Sequence, residues 1–393
     1  MDLHTKAVHA GDRKKAPAQT PVTTPIHAAA SFICDSMAEL DRIMGREEAG
    51  YSYGRYDNPS NAALEEQVRS LENGHGALAC SSGMAAIQMA IAAALADRPR
   101  SIVAAGALYG ATLGLLMNVL EPSGVSVRFV DICDLDAVRA AAEARPGCIL
   151  METISNPLLR VGQIDRIAEI ARQAGAALIV DNTFATPLLA RPLELGAHFS
   201  VHSLTKYLAG HGDVLGGIVV SDSGHYDALR ALSRTIGPIL GPFESYLAMR
   251  GVKTFPLRME RQCANARRVA SWLERRPEVE RVYFPGDPSH PDAAAIRRLF
   301  PADRYGAMAS FELRGAGREE AFRFMDALRM IVRATSLGDV HSMMLYPAIS
   351  SHREISPKHR ERLGIHDNLV RLSVGIEAPE DIIGDLEQAL GKI

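Results

Sequence analysis

The chain has 393 residues, with 43 Lys and Arg against 46 Asp and Glu, a formal net charge of −3, 47% hydrophobic and 23% charged residues. That length holds two or three domains with a well-buried core and excludes a peptide or a disulfide miniprotein. The balanced charge and ordinary mixture argue against a nucleic-acid partner and against disorder.

The first residues, MDLHTKAVHAGDRKK, contain no apolar stretch and no cleavage pattern, so no secretory signal is expected and the cytoplasm is the expected location. Residues 1–60 lack periodicity, are rich in Thr, Pro, Ala and Gly, and read as an extended arm. The run GALACSSGMAAIQMAIAAALA at 76–96 carries no full charge over about the length of a bilayer helix. Ser81-Ser82-Gly83 divides it, and its Ala-rich second half suits a buried helix of an α/β domain, so no membrane association is expected.

Short apolar runs then follow one another: ALAC (77–80), SIVAA (101–105), VSVRFV (125–130), CILMET (148–153), AALIVD (176–181), FSVHS (199–203) and GGIVVS (216–221). Among them lie LEEQVRSLEN (64–73), DLDAVRAAAEA (134–144) and IDRIAEIARQAG (164–175), in which apolar residues recur at helical spacing. The alternation predicts, over residues 61–250, an α/β domain with a mostly parallel sheet and helices on both faces. A helical stretch at 246–276 leads into VERVYF (279–284), AMASFEL (307–313) and VRLSV (370–374), which predict a smaller α+β domain over 251–393. The five cysteines, Cys34, Cys80, Cys133, Cys148 and Cys263, form no C-x-x-C pair and read as reduced, small core residues.

In an open parallel sheet ligands bind beyond the carboxyl ends of the strands, so strand ends are where chemistry is expected. Ser81-Ser82-Gly83-Met84 leads from a strand into a helix, whose free N–H groups and positive end can hold a phosphate, and Gly83 permits close approach. Asp181 ends a four-residue apolar run. Alone it reads as a loop cap, but beside a cationic heterocycle it would keep a pyridinium nitrogen protonated. Lys206, in the apolar, Gly-rich VHSLTKYLAGHGD, reads as a partly desolvated amine able to form a Schiff base. Cradle, carboxylate and amine together define a pyridoxal 5′-phosphate site.

Two rival motifs lose support. Ser203-Leu204-Thr205-Lys206 matches S-x-x-K of serine β-lactamases, but S-D-N and K-T-G are missing from the chain. His198, His202 and His211 can be drawn as a zinc site, but the first two lie along an extended segment rather than one helix face, so no metal is expected. Neither a G-x-G-x-x-G nor a G-x-x-x-x-G-K-[ST] loop occurs.

The motifs YGRYDNPS (53–60), CSSGMAAI (80–87), LYGAT (108–112), ETISNP (152–157), VDNTFATP (180–187), HSLTKYLAGHGD (202–213), MRGVKT (249–254), TSLGD (335–339) and VRLSVGIE (370–377) resemble, in order, those of the fold-type I pyridoxal-phosphate enzymes of cysteine and methionine metabolism. That family includes cystathionine γ-synthase, cystathionine lyases, methionine γ-lyase and homoserine-ester sulfhydrylases. The resemblance implies that Lys206 carries the cofactor, that Asp181 faces its ring nitrogen, and that Gly83 and Met84 donate backbone N–H groups to its phosphate. Ser82, Ser203 and Thr205 belong to the same phosphate cradle.

The resemblance further implies that Tyr53 and Arg55 reach the cofactor phosphate of a neighbouring subunit, in a homotetramer built from two site-sharing dimers, with Tyr53 also near substrate. Tyr109 would stack on the cofactor ring and act as acid or base. Arg371, Ser336 and Asn156 would hold the substrate α-carboxylate, Asn156 also meeting the cofactor's ring oxygen.

Two positions bear on the substrate. His341 follows Ser336-Leu337-Gly338-Asp339-Val340 where many relatives are expected to have Glu, which weakens the case for cystathionine with its distal ammonium. Ala111 replaces the Cys usual in methionine γ-lyases and the Gly usual in cystathionine enzymes. The reading is γ-elimination on methionine or a related sulfur amino acid, with γ-replacement on a homoserine ester as the alternative and cystathionine β-elimination behind both. A non-catalytic binding protein of this fold is a further reading, against which the presence of Lys206, Asp181, Tyr109 and Arg371 argues.

Overall fold

A computed structural model describes residues 19–350, 353 and 357–393. The N-terminal residues that bear on the secretory-signal reading lie outside the described residues, as does the first part of the expected arm. The described remainder of the arm is mostly without regular structure but includes one helix, Met37–Met44, capped by Ser36, whose hydroxyl accepts from the Glu39 N–H.

Seven strands make the first sheet: β1 (Gly76–Cys80), β2 (Ser101–Ala105), β3 (Ser126–Val130), β4 (Cys148–Glu152), β5 (Ala177–Asp181), β6 (Phe199–Ser203) and β7 (Gly217–Ser221). Their spatial order is β1-β7-β6-β5-β4-β2-β3. β7 runs antiparallel to both its neighbours; the other adjacent pairs are parallel. Each strand was expected from its apolar run, and the expected mostly parallel sheet is present. β4 through β7 are buried along nearly their whole length, as strands covered on both faces must be, whereas β3 at the edge is largely exposed.

The uncharged run at 76–96 divides where Ser81-Ser82-Gly83 predicted, into β1 and the helix Gly83–Ala94. That helix lies against β6 and β7. Among the described residues no helix is long and apolar enough to cross a membrane. Cys80, Cys148 and Cys263 are buried, but Cys34 and Cys133 are only partly so, which corrects the reading of all five as core residues.

The second sheet, in the order β10-β11-β12-β9-β8, contains β8 (Val279–Tyr283), β9 (Met308–Leu313), β10 (Val332–Arg333), β11 (Met343–Leu345) and β12 (Leu369–Ser373). The expected helical stretch at 246–276 consists of two helices, Pro242–Val252 and Phe255–Leu273, separated at Lys253–Thr254 just ahead of Pro256. The longer helix spans two cores. Met259 and Cys263 pack with the first sheet's underside, and Ala266, Val269, Ala270 and Leu273 pack with Phe311, Phe324, Val370 and Leu386 around the second. The bidentate ion pair of Arg160 with Asp292, at 2.7 and 2.9 Å, ties the segment after β4 to the second half of the chain. These links set β12, with Arg371, opposite the carboxyl ends of β4 and β5.

Candidate active site

The parallel arrangement brings the ends of β1, β4, β5 and β6 to one edge of the sheet, and a cavity of about 400 Å³ opens there. Ser82, Gly83, Met84, Tyr109, Asn156, Asp181, Ser203, Thr205, Lys206 and Arg371 all line it. Ser336 reaches it by accepting a hydrogen bond from Lys206 Nζ at 2.9 Å.

The cradle is built from small residues. The Ser82 hydroxyl caps the helix Gly83–Ala94 by accepting from the Ala85 N–H at 3.0 Å, and the N–H groups of the first turn face the cavity edge. A Cβ at Gly83 would stand 3.0 Å from Ser203 Cβ. A Cβ at Gly217, the first residue of β7, would stand 2.2 Å from the Ser82 carbonyl oxygen. The turn can approach β6 and β7 this closely only because both positions lack a side chain. Thr205 Oγ1 bonds the Gly216 backbone on both sides, accepting from its N–H at 3.1 Å and donating to its carbonyl at 3.3 Å.

Lys206 sits at the turn after β6, and burial together with the Arg371 guanidinium pulls its ammonium down to about 8. Arg371 is itself buried; one nitrogen donates to Asn156 Oδ1 at 2.7 Å and another to the Ser336 carbonyl at 3.4 Å, while Nε has no partner. A buried guanidinium that lines a cavity is suited to an anionic ligand. Asp181 Oδ1 accepts from the Thr183 N–H at 3.0 Å and from its hydroxyl at 2.5 Å. Burial raises its proton affinity, which the Thr183 hydrogen bonds and the nearby His202 oppose.

Glu152, quoted within ETISNP but given no role, also lines the cavity. It ends β4 directly beside Asp181 on β5, and its Oε1 accepts from the Tyr109 N–H at 2.7 Å. Thr183, Phe184, Thr335, Leu337 and Leu345 are further lining residues that sequence reasoning missed. The strand-end rule that found Asp181 points equally to Glu152; the others follow from loops whose course the sequence does not reveal.

One expectation changes. His341 is absent from the lining, its side chain is 66% exposed, and its Nδ1 bonds Asp339 Oδ1 at 2.9 Å, so the lost-acid argument for the substrate has no footing at that position. Thr335, one residue before Ser336, faces the cavity instead. His202 packs inward on Glu72, Nε2 to Oε1 at 2.6 Å, both fully buried below Asp181 and Asn182. Tyr53 and Arg55 do not line this cavity. Tyr53 is 43% exposed, and the Arg55 guanidinium lies over the Tyr56 ring and donates to the Arg234 carbonyl.

A half-buried amine of lowered proton affinity, a carboxylate held by two donors and a helix N-terminus open to close approach fit pyridoxal phosphate at its aldehyde, ring and phosphate in turn. Comparison with known proteins agrees. L-methionine γ-lyase of Fusobacterium nucleatum subsp. polymorphum is 41% identical over 394 residues, covering 100% of this chain and 98% of its own. Cystathionine γ-synthase of Mycobacterium bovis is 41% identical over 388 residues, covering 98% and 96%. The crystal structure of a putative O-acetylhomoserine (thiol)-lyase from Campylobacter jejuni, with a pyridoxyl-lysine monophosphate, superposes with a TM-score of 0.89 at 27% identity, covering 98% of this chain and 99% of that one. Residues 4–391 match the family described as Cys/Met metabolism PLP-dependent enzyme, and with 41% identity along the full chain to its members this chain belongs to that family and uses pyridoxal 5′-phosphate.

Proposed function

We propose that the protein is a carbon–sulfur γ-lyase that converts methionine or a related uncharged sulfur amino acid to a 2-oxo acid, ammonia and a thiol. The observation that carries this reading is the charge pattern of the cavity. Its charged side chains are those of Glu152, Asp181, Lys206 and Arg371, whereas Ile154, Phe184, Leu215, Thr335, Leu337 and Leu345 contribute uncharged lining among the described residues. A thioether methyl is at home among those uncharged residues; a distal ammonium would be desolvated among them without a counter-charge.

Bound pyridoxal phosphate supplies the electron sink that stabilises negative charge at the substrate Cα. In this reading Lys206 holds the cofactor and, once released, takes and returns protons at Cα as a free amine. Asp181 stays ionised against the ring nitrogen. Gly83 and Met84 N–H groups with the Ser82, Ser203 and Thr205 side chains receive the phosphate. Arg371 grips the substrate α-carboxylate, oriented by Asn156, with Ser336 beside it; Tyr109, at the cavity mouth, protonates the departing sulfur. Tyr53 and Arg55, which turn away from their own cavity, serve a neighbouring subunit's phosphate, in a cytoplasmic homotetramer of paired dimers.

The similarity to a γ-synthase at the same identity supports γ-replacement on a homoserine ester as the second reading. One assay separates them: 2-oxobutanoate release from L-methionine, L-cystathionine and O-acylhomoserines, with and without cysteine. Release from methionine without an added thiol is expected; keto acid only from a homoserine ester, or product only when cysteine is present, overturns the lyase reading.

A further inference from the structure

Glu152 and Asp181 are neighbours across parallel strands, paired in register at the ends of β4 and β5. Glu152 is buried and Asp181 half-buried at the edge of one cavity, and two adjacent carboxylates in such a place do not both ionise. Their surroundings are unequal. Asp181 receives two hydrogen bonds from Thr183 through one oxygen. Glu152 receives the Tyr109 N–H at Oε1, while its Oε2 is buried with no partner. A buried carboxylate oxygen that carries charge without a partner costs far more than a buried neutral O–H without one, so the inaccessible Oε2 is where the pair's proton belongs.

We propose that Glu152 is a positioning residue that acts as a neutral carboxylic acid, its Oε1 anchoring the Tyr109 backbone and its buried Oε2 carrying the proton, so that Asp181 carries the pair's only negative charge. The other groups that face it are consistent with this arrangement. Burial and the Asp181 charge drive the Glu152 proton affinity well up; the Tyr109 and Asn156 N–H groups and the Arg371 guanidinium act against them and are outweighed. Because Tyr109 begins the helix Gly110–Leu115 with no side-chain cap of its own, the Glu152 carboxyl is the contact that fixes where that ring starts from the sheet.

The inference rests on this cavity being the cofactor site and not on methionine being the substrate, so its tests use the apoprotein. Glu152→Ala is expected to weaken apoprotein affinity for pyridoxal phosphate, read by fluorescence quenching, by about tenfold or more. Glu152→Gln, a neutral group of the same shape, is expected to recover most of that loss. The infrared carbonyl band of a protonated, buried carboxylic acid is expected in the wild-type apoprotein at neutral pH and is expected to be missing from Glu152→Gln. Gln no better than Ala, Ala with wild-type affinity, or no such band in the wild type overturns the proposal. Should Glu152→Ala fail to fold, the band comparison decides alone.

Discussion

Half-buried Lys206 and buried Arg371 are two cations facing one cavity, and burial together with their proximity sets how the lysine titrates. Below about 8 the Lys206 nitrogen is an ammonium without a free pair; above it the amine is free to attack an aldehyde. The rate at which apoprotein captures pyridoxal phosphate, read by borohydride trapping and peptide mapping, is therefore expected to fall about tenfold for each pH unit below that point and to level off above it. In Arg371→Leu the repulsion is gone, so the midpoint is expected to move to higher pH; an unmoved midpoint would mean that burial alone lowers it. Lys206→Ala is expected to give no trapped adduct at any pH. Lys206 and Asp181 were legible in the sequence because each ends an apolar strand run with a chemically conspicuous group. The weight of Glu152 was not, because what distinguishes it is a neighbour 29 positions away, across β4 and β5.

The turn between β1 and its helix is the element on which the proposed phosphate cradle depends, and β7 packs against it. Gly217→Ala puts a methyl carbon 2.2 Å from the Ser82 carbonyl oxygen and 2.7 Å from the Gly83 nitrogen, both backbone atoms that cannot swing aside. Thermal unfolding is expected to show a loss of about 1–3 kcal/mol, with weaker cofactor retention on dialysis; an unchanged melt and unchanged retention would show that the turn yields. Removing the helix cap with Ser82→Ala is expected to lower stability by about 1 kcal/mol. The turn itself could be read from Ser81-Ser82-Gly83. The antiparallel course of β7 could not, since an apolar run is the same for either direction, and β10 and β11, at two and three residues, are too short to show a period.

At the scale of the whole molecule, the proposed subunit sharing follows from where Arg55 and Lys206 lie, one away from the cavity and the other at its base. Neither Arg55→Ala nor Lys206→Ala is expected to be active alone. Subunits mixed by unfolding and refolding together are expected to regain measurable activity, since one site of a mixed dimer then has both residues intact. No gain over either parent would count against a site completed in trans. Within one chain, the helix Phe255–Leu273 shares its buried residues between two cores, and this is what carries β12 to the first sheet. The bidentate pairing of Arg160 with the half-buried Asp292 restrains the same approach.

The order of strands and helices, the break inside the run at 76–96 and the amine, carboxylate and cradle of the site were determined by local pattern: hydrophobic period, a Gly-bearing turn, and polar groups at strand ends. Those signals act over a few residues and so are written in consecutive positions. Strand direction in β7, the Glu152–Asp181 pairing, the replacement of His341 by Thr335 at the cavity wall, and the reach of Arg371 to Asn156 across 215 positions were decided only by the tertiary structure. Each is a relation between segments that meet through packing, and packing depends on the shapes of both partners rather than on the composition of either.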